Sequence, residues 1–150
     1  MRAYRIVKRR HALDAFTGSG ARIYGGRWNL PGSPVVYCAE SRALAALEAL
    51  AHFHGEERRL DFVVFEVEIP DTLVIDVRPA DLPGNWRAAE PPRATQELGT
   101  RWQLRLSSVA LRVPSVLVPQ ERCVLLNPAH PDTRRVMVSE PTAFQFDPRI

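Results

Sequence analysis

Two cysteines, a single lysine and no long apolar run mark what this chain does without. Cys38 and Cys123 stand far apart with no partner-like spacing, which excludes a disulfide framework or a cysteine-based zinc cluster. Both fit small, buried apolar positions. No stretch approaches the roughly 18 apolar residues of a membrane span, and the opening MRAYRIVKRR lacks the apolar core of a signal peptide. The expected location is therefore the cytoplasm, without a membrane partner. A nucleophile elbow, a phosphate loop, a dinucleotide fingerprint and a zinc motif are also missing, since the GSG at 18–20 is too short and lacks the helix that would follow. The pairs His52 with His54 and His130 with Asp132 lie in separate places and make a poor metal case, so no metal is expected. The net charge of +3 rests on arginines scattered among 17 acids, and only Arg2, Arg5, Lys8, Arg9 and Arg10 cluster. That is not the basic stripe with interleaved aromatics that tracks a nucleic-acid backbone, so direct nucleic-acid binding is not expected.

What is present is the makings of one domain. A length of 150 residues with 45% hydrophobic and 25% charged content can bury a core without staples, covering roughly 70% of the unfolded chain's surface. The 13 prolines keep the elements short. Residues 3–7 (AYRIV) predict a first strand, 17–34 a long glycine-rich loop, and VVYCA at 35–39 a second strand. Ser41 then caps a helix, SRALAALEALAHFHG, which Gly55 closes. Strands follow at 62–69 and 72–77, and a second helix over 91–108 has Gly99 as its weak point. ALRVPS, CVLLN, RVMVSE and TAFQF supply four more short strands. The pattern is α+β: a compact single domain over residues 1–150 with a mainly antiparallel, partly mixed sheet and two principal helices.

In the first helix Glu48 is the only charged side chain across two turns of Ala and Leu. A helix apolar all round is buried, and an isolated buried carboxylate needs a partner, a raised pKa or an opening onto a pocket. Glu48 is thus a site candidate; the competing reading is a solvent-facing side chain paired at i+4 with His52. In GGRWN (25–29) two glycines permit close backbone approach to a ligand, and the Arg27 fork suits phosphate or carboxylate, unless it is spent on an ordinary loop salt bridge. Tyr37, on the strand that feeds the Glu48 helix, would wall a pocket beside that carboxylate or simply fill the core. Ser115 after Pro114 is a third candidate, or a turn serine.

YGGRWN at 24–29, PVVYCAES before the alanine-rich helix, LPGNWR at 82–87, TQELGTRW at 95–102 and VPSVLVPQERCVLLNPAHPD at 113–132 occur in an order and spacing that resemble the RES-domain family. The likeness spans about 24–132. It implies an ADP-ribosyltransferase-like fold and the toxin of a bacterial toxin–antitoxin pair that consumes NAD without a metal. It further implies an arginine, glutamate and serine at Arg27, Glu48 and Ser115, with Tyr37 in the same pocket and Trp28 and Asn127 as further dinucleotide contacts. In PQERCVLLNP this chain has cysteine and arginine where relatives often carry asparagine and an aromatic, a departure expected to leave the chemistry untouched. The implied partner is a cognate helix-turn-helix antitoxin that restrains the enzyme in a hetero-oligomeric complex. Glycosidic cleavage of NAD with water or phosphate as acceptor and transfer of ADP-ribose to a protein use the same residues. A third reading, a non-enzymatic arginine-rich binding module, would need Arg9 and Arg10 rather than Glu48.

Overall fold

The computed structural model describes all 150 residues. Its strands are β1 (Arg2–Lys8), β2 (Val36–Ala39), β3 (Phe62–Glu68), β4 (Val74–Asp76), β5 (Ala110–Pro114), β6 (Arg122–Leu126), β7 (Met137–Val138) and β8 (Thr142–Phe144). They form one sheet in the order β4-β5-β6-β2-β1-β3-β7, with β8 also pairing β3. Every pairing is antiparallel except β4 with β5. Three helices accompany it: α1 (Ser19–Tyr24), α2 (Arg42–Leu50) and α3 (Arg93–Leu104). The expected α+β architecture is present, and no helix is long and apolar enough to cross a membrane.

Alternation along the strands sorts the core onto the two faces of the sheet. Val35, Ala39, Leu111, Val113, Cys123 and Leu125 join Leu44 and Ala45 of α2 and Trp102 of α3 on one face. Val36, Cys38, Val67, Ala110, Val124 and Leu126 form the cluster on the other. Burial among the latter pushes the Cys38 thiol up to about 12, so it behaves as the expected inert apolar residue.

The ladder between β1 and β3 runs unbroken over seven residue pairs from Arg2↔Glu68 to Lys8↔Phe62. Between β1 and β2 only Tyr4↔Ala39 pair. The sheet therefore opens beside Tyr37. The Arg5 guanidinium bridges that opening, donating from Nη1 to the Tyr37 carbonyl (2.6 Å) and from Nε to the Ala15 carbonyl (2.7 Å). Burial pulls the Arg5 guanidinium below its ordinary value.

The helix expected over 91–108 shortens to Arg93–Leu104 and the strand expected over 72–77 to Val74–Asp76, behind a 3-10 turn at Asp71–Leu73. The loop over 17–34 contains α1, a single short helix that Gly18 and Gly25 bracket in left-handed φ (both 71°). The Ser41 cap forms as expected, its Oγ accepting the Leu44 N–H at 3.0 Å, but α2 ends at Leu50. Gly55 lies beyond it, opening a 3-10 turn at φ 60°. Nor is α2 buried all round: Leu44 and Ala45 are, whereas Ala43 and Leu47 face outward. Small residues pack closely on one face without needing cover on the other.

Gly99 is not a break but a contact. The helix α3 runs straight through it, and a Cβ there would stand 1.8 Å from the Trp28 carbonyl oxygen. Glycine-to-alanine in a helix interior ordinarily stabilises by up to about 1 kcal/mol. Here Gly99→Ala is expected to destabilise by about 2 kcal/mol or more, because the methyl must displace backbone. Urea denaturation read against wild type checks the sign.

Candidate active site

The loop that carries Arg27 is fixed from inside. Asn29 is fully buried and its Nδ2 donates to the carbonyls of Ala21 (2.8 Å), Leu30 (3.1 Å) and Ser33 (3.1 Å). Its Oδ1 accepts the Tyr37 hydroxyl at 2.7 Å, and that hydroxyl accepts the Trp28 N–H at 3.1 Å. A Cβ on Gly26 would fall 2.6 Å from the Tyr37 hydroxyl, so this close approach requires glycine. Burial raises the Tyr37 phenol well above its usual range and keeps it a neutral donor. Gln96 of α3 adds a hydrogen bond from Nε2 to the Gly26 carbonyl (3.0 Å).

Arg27, held by this loop, makes no ion pair within 4.0 Å. Its Nη1 donates to the Trp86 carbonyl (2.9 Å) and its Nη2 to the Ala89 carbonyl (3.4 Å). Partial burial draws the guanidinium below its ordinary value, with Glu48 and Tyr37 opposing the shift. The ordinary salt-bridged loop arginine is thus not what the fold builds. A positive charge lacking a carboxylate partner remains available to an anion.

Glu48 approaches from α2 and is half-buried. Its partners come from distant strands: Ser115, just after β5, donates its hydroxyl to Oε1 at 2.7 Å, and the Cys123 thiol of β6 lies 3.3 Å from the same oxygen. There is no ion pair with His52. Ser115 is buried, and its Oγ accepts the N–H groups of Leu117 (3.1 Å) and Val118 (3.0 Å), so the hydroxyl's own proton is directed at the carboxylate. Oε2 has no hydrogen-bond partner in the protein.

Arg27, Trp28, Tyr37, Glu48, His52 and Cys123 border a common cleft of about 770 Å³. A smaller chamber of about 160 Å³ lies behind it at the gap between β1 and β2 and shares Tyr37, Glu48, His52 and Cys123. Tyr37, Glu48 and Arg27 are therefore brought together, with Ser115 behind Glu48 rather than on the cleft. Trp28 borders the cleft but is only 3% exposed, its indole lying in the core cluster with Trp102 and 6.4 Å from the Trp86 ring. Asn127 does not border it at all. It is fully buried, donating from Nδ2 to the Gln103 carbonyl (2.9 Å) and accepting the Ala129 N–H at Oδ1 (3.1 Å), a turn-closing role. His130 likewise caps a turn, its Nδ1 accepting the Asp132 N–H at 3.0 Å. No group of three or more His, Cys, Asp or Glu side chains is placed to hold a metal.

Sequence reasoning missed Asn29 and Cys123. The first stood in plain view in GGRWN, where an asparagine in a glycine-rich loop signals bonds to backbone. The second gave no signal, because nothing local ties residue 123 to residue 48. The departure at Cys123 falls beside the candidate carboxylate, the thiol lying 3.3 Å from Oε1.

Ser115→Ala would strand the Leu117 and Val118 N–H groups and release Oε1. Stability is expected to fall by about 1–3 kcal/mol, measurable by chemical denaturation.

The RES-domain family model matches residues 2–147. The chain belongs to the RES family. It is 43% identical over its whole length to a protein named Toxin Res from Yersinia enterocolitica, covering 99% of that relative. A Sphingobium protein named Prs ADP-ribosylating toxin is 37% identical, with 95% of this chain and 90% of the relative aligned. Among solved structures, the Mycobacterium tuberculosis MbcT–MbcA toxin–antitoxin complex contains a chain that superposes with a TM-score of 0.77 at 18% identity, covering 96% of this chain and 84% of that one. That likeness is one of fold.

Proposed function

We propose that this RES protein is the toxin of a bacterial toxin–antitoxin pair and that it consumes NAD by cleaving the nicotinamide–ribose bond. The observation that carries the reading is a carboxylate, Glu48, braced on one oxygen and open on the other, in the same cleft as an arginine with no acidic partner. Cleavage sends the C–N bond's electrons to the pyridinium nitrogen, releases neutral nicotinamide and leaves the ribose oxocarbenium-like. Glu48 stabilises that developing positive charge and takes a ribose hydroxyl. Arg27 takes the pyrophosphate by its fork, Tyr37 flanks the nicotinamide, and Ser115 orients Glu48. Water or phosphate then bonds to the anomeric carbon, losing its proton.

A specific observation favours a second reading of the acceptor: the Sphingobium relative is named as ADP-ribosylating. Transfer to a protein uses the same bond cleavage and differs only in what adds to the anomeric carbon. NAD labelled in its adenylate half separates the two, since hydrolysis or phosphorolysis leaves label in small molecules and protein transfer leaves it on macromolecule.

The partner is a helix-turn-helix antitoxin, encoded nearby, whose inserted segment blocks the cleft, with a carboxylate seated on Arg27 in place of pyrophosphate. Support comes from relatives named as toxins and from the structural neighbour having been solved with an antitoxin. Expression in bacteria tests the pairing: the chain alone should arrest growth and drain cellular NAD, and co-expression with its neighbouring gene should restore both. Steady NAD with active protein expressed alone would overturn it.

A further inference from the structure

Period-two alternation puts Cys123 and Leu125 on the sheet face that α2 covers and turns Val124 to the other. The Cys123 thiol therefore meets Glu48 from β6 while Ser115 meets it from the end of β5. Both reach Oε1. We propose that Cys123 is a positioning residue for Glu48, its S–H donating to Oε1 so that, with the Ser115 hydroxyl, it holds the unbonded Oε2 toward the cleft. This rests on the reading of Glu48 as the catalytic carboxylate.

A glutamate side chain has three rotatable bonds, and one hydrogen bond to its end leaves the carboxylate free to turn about that contact. Two donors on the same oxygen from two strands define its plane. The Ser115 donor is itself anchored by two backbone N–H groups. Cys123 is 8% exposed, so little water reaches its sulfur. A thiol is a weak donor, but an ionised acceptor strengthens such bonds. Burial, reinforced by the neighbouring Glu48 charge, pushes the thiol up and keeps its proton in place. This cysteine is thereby a donor and not a nucleophile.

The contact and its role are tested separately. The infrared S–H stretch that vanishes in Cys123→Val identifies the thiol's band, and that band should shift in Glu48→Ala, which removes the acceptor; an unmoved band would refute the hydrogen bond. In NAD turnover, Cys123→Val should lower kcat by about tenfold, some 1.4 kcal/mol of barrier, with KM within about twofold. Cys123→Ser, which restores a donor, should recover most of kcat. Wild-type kcat in Cys123→Val, or no recovery in Cys123→Ser with both variants melting like the parent, would overturn the role. Cys123→Ala takes the place of valine if that variant does not fold. Wild-type protein inert toward NAD would instead defeat the proposed function, while the infrared band still decides the hydrogen bond.

Discussion

Glu48→Gln is expected to slow NAD cleavage by about two to three orders of magnitude, a few kcal/mol of barrier, while the melting temperature stays close to wild type. The two halves of that expectation have different causes. The amide keeps the shape of the carboxylate, and its oxygen still accepts from Ser115 and Cys123, so the contacts that tie α2 to β5 and β6 survive. What is lost is the negative charge that faces the developing oxocarbenium ion. Its loss acts mainly in the transition state, so kcat and kcat/KM should fall together. Nicotinamide release by the variant near the wild-type rate would remove Glu48 from the mechanism.

Arg27→Lys should lower kcat/KM for NAD by about ten- to a hundredfold, with most of the loss in KM, although it conserves charge. The guanidinium has two edges to offer: in the structure two of its nitrogens hold the Trp86 and Ala89 carbonyls, fixing its place at the cleft. A lysine ammonium is a point charge on a flexible stem and cannot keep both carbonyls and a bidentate anion contact. The segment around Trp86 should loosen with it, which limited proteolysis near 83–92 would register. Steady-state kinetics with lysine equal to arginine would show that the fork takes no part in binding.

The sequence carried the strand-to-helix step around Ser41 because it is local: a β-branched run, a capping hydroxyl and small helix formers follow in order. It carried Glu48 for an imperfect reason. The helix is not sheathed on every side, and the carboxylate's partners are 67 and 75 residues away in sequence, beyond the reach of periodicity. Gly99 was misjudged on helix propensity alone, since only the folded chain shows the Trp28 carbonyl lying against it. Asn127 lies off the cleft, since motif order does not say which side of a strand end an amide faces. Sheet order was likewise out of reach: β1 lies between β2 and β3, and the single pairing that leaves the gap at Tyr37 follows from long-range register.

The most direct measurement incubates the purified chain with NAD labelled separately in its nicotinamide and adenylate halves, beside Glu48→Gln. Glycosidic cleavage at Glu48 requires free labelled nicotinamide from wild type, equimolar with an ADP-ribosyl product carrying the second label, and almost none from the variant. Intact NAD in both reactions with folded protein, or equal release from wild type and variant, would contradict it.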